Sequence, residues 1–287
     1  MYNILESKEL AKEIKLFVVD APKIARACKP GQFIILKINE QGERIPLTIY
    51  DYDSVKGTVS IIFQEVGKTT RQLGKLKAGD YLQDFVGPLG KPIEVNDLHK
   101  RIICVGGGVG VAPVYPKARA LKNSGSEVIS IIGARTKDLI ILEEEMKAIS
   151  DELYVCTDDG SYGEHGFVTQ VLERLLQAKK PDLVIAIGPL PMMRACCQVT
   201  KKFNVPTLVS LNSIMVDGTG MCGSCRVTEG GQTKFACVDG PGFDGHLVDF
   251  EELMLRQVRF VEEEKVALQR YEKMEGVKNG SCSCRGR

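Results

Sequence analysis

The stretch RIICVGGGVGVAP, residues 101–113, decides the architecture. An apolar, β-branched run enters a glycine-rich turn, and a helix-compatible segment over 113–124 follows. A buried strand, a tight turn and a helix in that order open a βαβ unit. The alternation continues downstream. EVISIIGA (127–134), LYVCTDDG (153–160), DLVIAIGP (182–189) and PTLVSLN (206–212) read as strands, with helices expected near 142–149, 167–178 and 192–203. Strands spaced by helices predict a parallel sheet covered on both faces.

Upstream of residue 100 the pattern differs. EIKLFVVD (13–20), FIILKI (33–38), TIYDYD (48–53), TVSIIF (58–63) and DYLQDFVG (80–87) are short β-rich runs divided by Gly, Asn, Asp, Ser and Lys. Such spacing predicts a small antiparallel barrel, interrupted by one helical turn at 69–76. Downstream of Leu211 the chain becomes rich in Gly, Cys and Asp, and 250–274 reads as one amphipathic helix.

Composition narrows the function classes. The chain has 287 residues, 44% hydrophobic and 26% charged, which suits two or so globular units. With 38 basic and 37 acidic residues the net charge is +1, so no global field favours nucleic acid or an anionic membrane. No run of eighteen apolar residues occurs, and the first residues lack a basic-then-apolar leader pattern, so a cytoplasmic location is expected. Ten cysteines without an export signal point to metal or redox chemistry rather than disulfides.

The sharpest chemical signal is Cys222-Gly-Ser-Cys225 followed by Cys237, after the hairpin-like RVTEGGQTKFA. Two thiolates two residues apart face one metal centre. Plant-type iron–sulfur loops use C-x4-C-x2-C and a distant fourth cysteine. Here the first position is Asp217, giving Asp217-x4-Cys222-x2-Cys225-x11-Cys237. This predicts a [2Fe-2S] cluster with one aspartate and three cysteine ligands. Zinc is the competing occupant, since C-x2-C is also zinc spacing, and free or redox-active thiols are a third reading. Cys104 and Cys156 lie in apolar strands and are expected to pack as small hydrophobes. Cys282 and Cys284 form a short C-x-C near the end of the sequence, expected to be incidental.

The glycines of 106–110 suit close approach of a dinucleotide diphosphate, although Pro113 stands where a Rossmann fingerprint has its third glycine. Thr157-Asp158 and Gly188-Pro189-Leu190-Pro191-Met192 follow the next strands, at the sheet end where ligands bind in open α/β folds. In the β domain, Arg44-Ile45-Pro46-Leu47-Thr48 and Gly67-Lys68-Thr69-Thr70 offer a guanidinium, hydroxyls and amides to a diphosphate. The latter is not a Walker A loop, lacking the upstream glycine.

Taken in order, RIPLT, GKTT, GPLG (87–90), GGGVGVAP, TDDGSYGEHG, GPLPMM and the cysteine loop resemble the ferredoxin–NADP⁺ reductase superfamily. Within it the match is to the branch of dihydroorotate dehydrogenase electron-transfer subunits and sulfide dehydrogenase β subunits, including the small subunits of NADH-dependent reduced ferredoxin:NADP⁺ oxidoreductases. The acid in the first ligand position favours the last group, since the dihydroorotate branch looks all-cysteine there. The resemblance implies an antiparallel β-barrel FAD domain over 1–98, a parallel-sheet NAD(P)-binding α/β domain over 99–211, a small iron–sulfur module over 212–249 and a C-terminal helix and tail over 250–287. It implies that Arg44, Pro46, Leu47 and Thr48 line the flavin and that Gly67, Lys68, Thr69 and Thr70 hold the FAD diphosphate. Gly108, Gly110, Pro113, Thr157, Asp158, Gly188 and Met192 would bind NAD(H) or NADP(H), and Asp217, Cys222, Cys225 and Cys237 the cluster. The usual Arg-x-Tyr-Ser/Thr flavin motif is altered here: Arg44 lies one residue further out and Leu47 replaces the tyrosine.

The implied activity is electron transfer through cofactors, with no catalytic acid or base. A larger flavin and iron–sulfur subunit would complete a heterodimer able to bifurcate electrons and reach ferredoxin through that partner, with 250–274 as a contact. Other readings are a dihydroorotate dehydrogenase electron-transfer subunit, a non-redox zinc- or nucleotide-binding regulatory module, and a stand-alone sulfur or polysulfide reductase. Arg135 and Lys137 suit either a ribose phosphate or a solvated turn, leaving NAD against NADP open.

Overall fold

The computed structural model describes residues 1–94 and 101–280, with side chains described to residue 276. The expected boundary at 98 and the pair Cys282 and Cys284 lie outside the described residues.

The first sheet contains β1 (Tyr2–Ala11), β2 (Ile14–Asp20), β3 (Phe33–Lys37), β4 (Arg44–Asp53), β5 (Thr58–Gln64), β6 (Tyr81–Leu82) and β7 (Asp84–Leu89), with α1 (Pro22–Ala27) and α2 (Lys68–Leu73) beside it. Its order is β6-β1-β2-β5-β4-β3-β7, every pair antiparallel, forming a near-barrel. Period-two alternation sends Val59, Ile61 and Phe63 of β5 into the barrel with Phe17, Val19, Leu36 and Phe85. Phe17 and Phe63 meet edge to face at 5.0 Å. Ile62 points the other way, joining Ile14 against the second layer. The run 80–87 is two strands rather than one, because Gln83 turns its amide to Lys37 O (3.0 Å).

The second sheet contains β8 (Arg101–Gly107), β9 (Glu127–Ala134), β10 (Glu152–Thr157), β11 (Glu164–His165), β12 (Leu183–Ile187) and β13 (Thr207–Ser210), in the order β11-β10-β9-β8-β12-β13-β16. The last, β16 (Gly242–Asp244), returns from the cysteine-rich segment and pairs antiparallel with β13, so the expected all-parallel sheet is mixed at this edge. Helices cover both faces. α3 (Val111–Asn123) and α4 (Glu143–Ile149) pack on Ile102, Cys104, Val128 and Ile132. α5 (Val168–Ala178) and α6 (Leu190–Lys202) pack on Ile103, Val105, Ile129 and Ile131. Strands buried on both sides must be apolar at consecutive positions, which is why RIICV and EVISII show no alternation.

α3 also joins the two layers: Arg119 pairs with Asp51 of β4, and Tyr115 lies 5.1 Å from Tyr50. The cysteine-rich segment forms a hairpin of β14 (Arg226–Glu229) and β15 (Gln232–Phe235). Gly230 and Gly231 both take positive φ, as a two-residue hairpin turn with matching twist requires. The expected single helix over 250–274 is two, α7 (Phe250–Gln257) and α8 (Val261–Gly280), joined by a 3-10 turn. Asp249 caps α7 through Glu252 N (2.9 Å), and Phe250 and Leu253 are buried. α8 is largely exposed. Among the described residues no helix is long and apolar enough to cross a membrane.

Candidate cofactor sites

Around β8 the strand order reverses, with β9 on one side and β12 on the other, so the crevice at their carboxyl ends is a topological switch point. Ile187 of β12 pairs with Gly106 of β8, which sets the 107–110 and 188–192 turns side by side. The closeness demands glycine. A Cβ on Gly110 would lie 2.4 Å from Ile187 O and 2.8 Å from Gly188 Cα. Positions at Gly107 and Gly188 would meet the Met192 thioether, at 2.2 and 2.7 Å, so Met192 lies across both turns. Gly108 has φ +55 and open space around its Cβ position, exposing backbone to the crevice. Pro113 sits half-buried in the first turn of α3.

Thr157 and Asp158 end β10 differently. The buried Thr157 hydroxyl donates to Tyr162 O (2.8 Å) and accepts from Tyr162 N (3.0 Å), so it shapes the turn. The Asp158 side chain is exposed. The neighbouring turn is laced to it by Asp159 N to Arg135 O (3.2 Å) and Lys137 N to Ser161 Oγ (2.9 Å). Lys137 stands 5.2 Å over the Tyr162 ring, and Arg135 is exposed.

On the first sheet, β4 carries Arg44, Pro46, Leu47 and Thr48, with Pro46 opposite Ile35 of β3. Leu47 packs with Ile45 on the barrel core, and alternation places Arg44, Pro46 and Thr48 on the outer face. Arg44 Nη1 approaches Asp84 Oδ2 (3.7 Å), while its buried Nε has no hydrogen-bond partner among the described residues. A buried donor of this kind suits an added acceptor. In α2, Lys68 Nζ (3.4 Å) and Thr69 Oγ1 converge on the Glu43 carboxylate. That pair therefore presents its donors to an anion. Thr70 Oγ1 instead accepts from Gly67 N and Val66 N, both at 3.0 Å, and caps the helix. Glu43 was not among the expected residues, and only its adjacency to Arg44 could have suggested it.

The cysteine loop sets the Cys225 and Cys237 sulfurs side by side and folds the Asp217 carboxylate onto the backbone that leads into Cys222. Cys225 and Cys237 sulfurs lie 3.2 Å apart in a buried setting. Asp217 Oδ2 accepts from Cys222 N (3.1 Å), while Oδ1 accepts from Thr219 N (2.8 Å). The Thr219 and Cys222 amides hold the Asp217 carboxyl below its ordinary pKa, and hydrogen bonds from Ser224 lower that of the exposed Cys222 thiol. Burial pushes Cys237 up to about 12. Among the described residues no three acid, His or Cys side chains converge on one point. A binuclear cluster spreads four protein ligands over two irons, whereas tetrahedral zinc needs all four around one atom; the Cys225–Cys237 contact is the ligand pair already formed among the described residues. Cys28 and Cys156 are pushed to about 11, and Cys104 and Cys197 to about 12, by burial. These thiols stay protonated and pack.

The loop also leans on the first sheet. A Cβ on Gly218 would lie 2.5 Å from Ile35 Cδ1 and 2.8 Å from Leu89 Cδ1. Ile35 is the cross-strand neighbour of Pro46, so one strand spacing, about 4.8 Å, separates the loop's seat from β4. Lys91 N donates to Gly240 O (2.6 Å) nearby.

Comparison with known proteins agrees with this arrangement. Residues 212–249 match the iron-sulfur cluster binding domain of dihydroorotate dehydrogenase B, and residues 104–198 match the oxidoreductase NAD-binding domain. A Clostridium beijerinckii protein of the adh 3' region is 51% identical over 294 residues, covering 100% of this chain and 99% of its own. A Thermotoga maritima homolog of the dihydroorotate dehydrogenase B (NAD(+)) electron transfer subunit is 46% identical, covering 96% of each chain. The solved structure of an NADH-dependent reduced ferredoxin-NADP oxidoreductase, studied for flavin-based electron bifurcation, contains a chain 43% identical to this one. It superposes with a TM-score of 0.90 over 94% of this chain and 98% of that one. With relatives of this identity matched along nearly their whole length, the chain belongs to the family of dihydroorotate dehydrogenase B electron transfer subunits and their homologues, on a ferredoxin-reductase-like fold.

Proposed function

We propose that this chain is the FAD- and [2Fe-2S]-carrying electron-transfer subunit of a heteromeric NAD(P)H:ferredoxin oxidoreductase that bifurcates electrons through a larger flavin and iron–sulfur partner. The observation that carries the reading is the seating of the Asp217–Cys222 loop on Ile35 and Leu89, beside the strand that bears Arg44, Pro46 and Thr48. When bound, flavin converts the two-electron chemistry of nicotinamide to the one-electron chemistry of a cluster.

The chain's own residues supply placement. Arg44 Nε and the Lys68 and Thr69 donors hold the FAD, with Gly67 leaving room and Thr70 fixing the turn. Pro46 and Thr48 offer the outer face of β4 to the ring, and Leu47 contributes main chain. Gly108, Gly110 and Gly188 give backbone to the nicotinamide dinucleotide, Met192 fills the crevice floor, Pro113 fixes the entry to α3, and Thr157 holds Asp158 at its rim. Asp217, Cys222, Cys225 and Cys237 would hold the cluster. No proton-transferring side chain is required. Asp158 at the rim disfavours a ribose phosphate while the exposed Arg135 and Lys137 of the adjoining turn favour one, so the crevice takes NAD(H) or NADP(H).

A second reading, the electron-transfer subunit of a dihydroorotate dehydrogenase, is favoured by the name of the Thermotoga relative. Purification of the native complex separates the two. A one-to-one partner with its own flavin, and NADH-dependent ferredoxin turnover, supports the first; NAD⁺-dependent oxidation of dihydroorotate supports the second. A fully active monomer overturns both.

A further inference from the structure

α7 and α8 form a strap between the two cofactor regions. At one end α7 is fixed to the cysteine loop: Arg256 Nη2 donates to the carbonyl of Ser224, which lies between Cys222 and Cys225, at 3.2 Å. Gln257 Nε2 adds a bond to Asn212 O (3.0 Å) and Thr228 Oγ1 one to Glu252 Oε2 (2.5 Å). The chain then leaves this module as α8, whose side chains over 261–266 are nearly all exposed. About 16 Å further along its axis, by helical rise, it reaches α2. There Glu272 pairs with Arg71 (2.6 Å), Glu275 with Lys75 (2.5 Å), and Lys75 stands 4.7 Å over the Tyr271 ring. Tyr271 and Glu275, four residues apart on one face of α8, both meet Lys75 in the turn that ends α2, while Glu272 meets Arg71 within it. Hydrogen bonds that Lys75 donates to Glu275 and Tyr271 raise its pKa, keeping it charged.

We infer that Glu272, Glu275 and Tyr271 are positioning residues for FAD: they hold the α2 segment that presents Lys68 and Thr69, so flavin retention depends on a helix anchored at the cluster loop. This rests on the reading that Gly67–Thr70 contact the FAD diphosphate. The six residues of α2 bury Thr69 and Leu73, and its start is held by Lys68 and Thr69 on Glu43; the contacts from α8 fix its far end, and ordering the segment in advance removes a cost that ligand binding otherwise meets.

The test measures FAD release from the full-length holoprotein by the rise in flavin fluorescence. Glu272→Gln with Glu275→Gln should speed release about four-fold, each exposed pair being worth a factor of about two. Raising NaCl from about 0.05 to 1 M should speed release from the parent chain more than from the double variant, because the exposed pairs are screened only where they exist. The swap Arg71→Glu with Glu272→Arg should restore slow release. Unchanged release in the double variant overturns the inference. Lys68→Met separates the two layers of the argument. If it speeds release while the double variant does not, the flavin site stands and the strap falls. If neither does, the diphosphate reading falls and takes the strap with it.

Discussion

Gly110→Ala tests the nicotinamide crevice through a single methyl group. The added carbon would lie 2.4 Å from Ile187 O and 2.8 Å from Gly188 Cα. Ordinary non-bonded carbon contacts begin at about 3.5 Å, so the β8 and β12 turns must part by about 1 Å. Both obstructing atoms are backbone, so no rotamer change relieves them. Overpacking of this kind costs about 1–3 kcal/mol, a loss that a domain with about 5–15 kcal/mol of stability survives. The chemical effect is larger, because a displacement of about 1 Å at a site that aligns reactants costs about 100-fold. Steady-state NADH oxidation with an artificial electron acceptor should therefore show kcat/KM down by about 100-fold, or about 2.7 kcal/mol. FAD content should not change, since β4 and α2 belong to the other sheet. Gly108→Ala is the comparison: its methyl meets no atom within 4 Å, and the cost is left-handed backbone strain of about 1–2 kcal/mol. It should raise KM for NADH by obstructing the crevice while the fold stays intact. Wild-type kcat/KM and melting temperature in Gly110→Ala would refute the reasoning.

Other consequences are equally direct. Asp217→Cys should keep a cluster but move its potential to more negative values, because a thiolate donates more charge than a carboxylate; an unchanged potential and visible spectrum would show that Asp217 is no ligand. Cys225→Ser should lose iron while retaining FAD, measured by metal and flavin content, because it breaks the buried pair with Cys237. Lys117 is 2% exposed and burial pushes it down to about 8, below its unfolded value of about 10.4. Between those values the unfolded chain holds the extra proton, so stability rises with pH through that window, by at most about 3 kcal/mol. Lys117→Met should be the more stable protein at pH 7 in denaturant titrations, its advantage shrinking toward pH 10; a gap independent of pH contradicts the assignment.

Much of the architecture was legible because its signals are local. RIICVGGG announces a strand that cannot continue past its glycines, and EVISIIGA coincides with β9. The RVTEGGQTKF hairpin follows from paired glycines between short β runs. Features made by distant pairing were not legible. β16 is three residues with no periodicity, made a strand only by β13. β1 runs through ESKE and KEL with little alternation, and exists because β2 and β6 flank it. Apolar residues recur through α7 and α8 and so read as one helix, yet Leu255 and Val258 stand in solvent at 73% and 62% exposure. The sites divide in the same way. Spacing singles out Asp217, Cys222, Cys225 and Cys237, but not the 3.2 Å contact of the Cys225 and Cys237 sulfurs. Motif order singles out Lys68 and Thr69, but not the Glu43 carboxylate on which their donors converge. The seating of Gly218 on Ile35 and Leu89 joins residues far apart in the chain and has no sequence signal.

The central claim is that one chain carries flavin and cluster in contact, open to nicotinamide. Its most direct test is anaerobic purification of the full-length chain, with flavin, iron, sulfide and zinc analysis and an NADH titration followed by visible absorbance. The account predicts about one FAD, two iron and two sulfide per chain, with NADH bleaching the flavin and cluster bands together. A colourless, zinc-containing protein, or a flavin that NADH reduces without any change at the cluster, would contradict it.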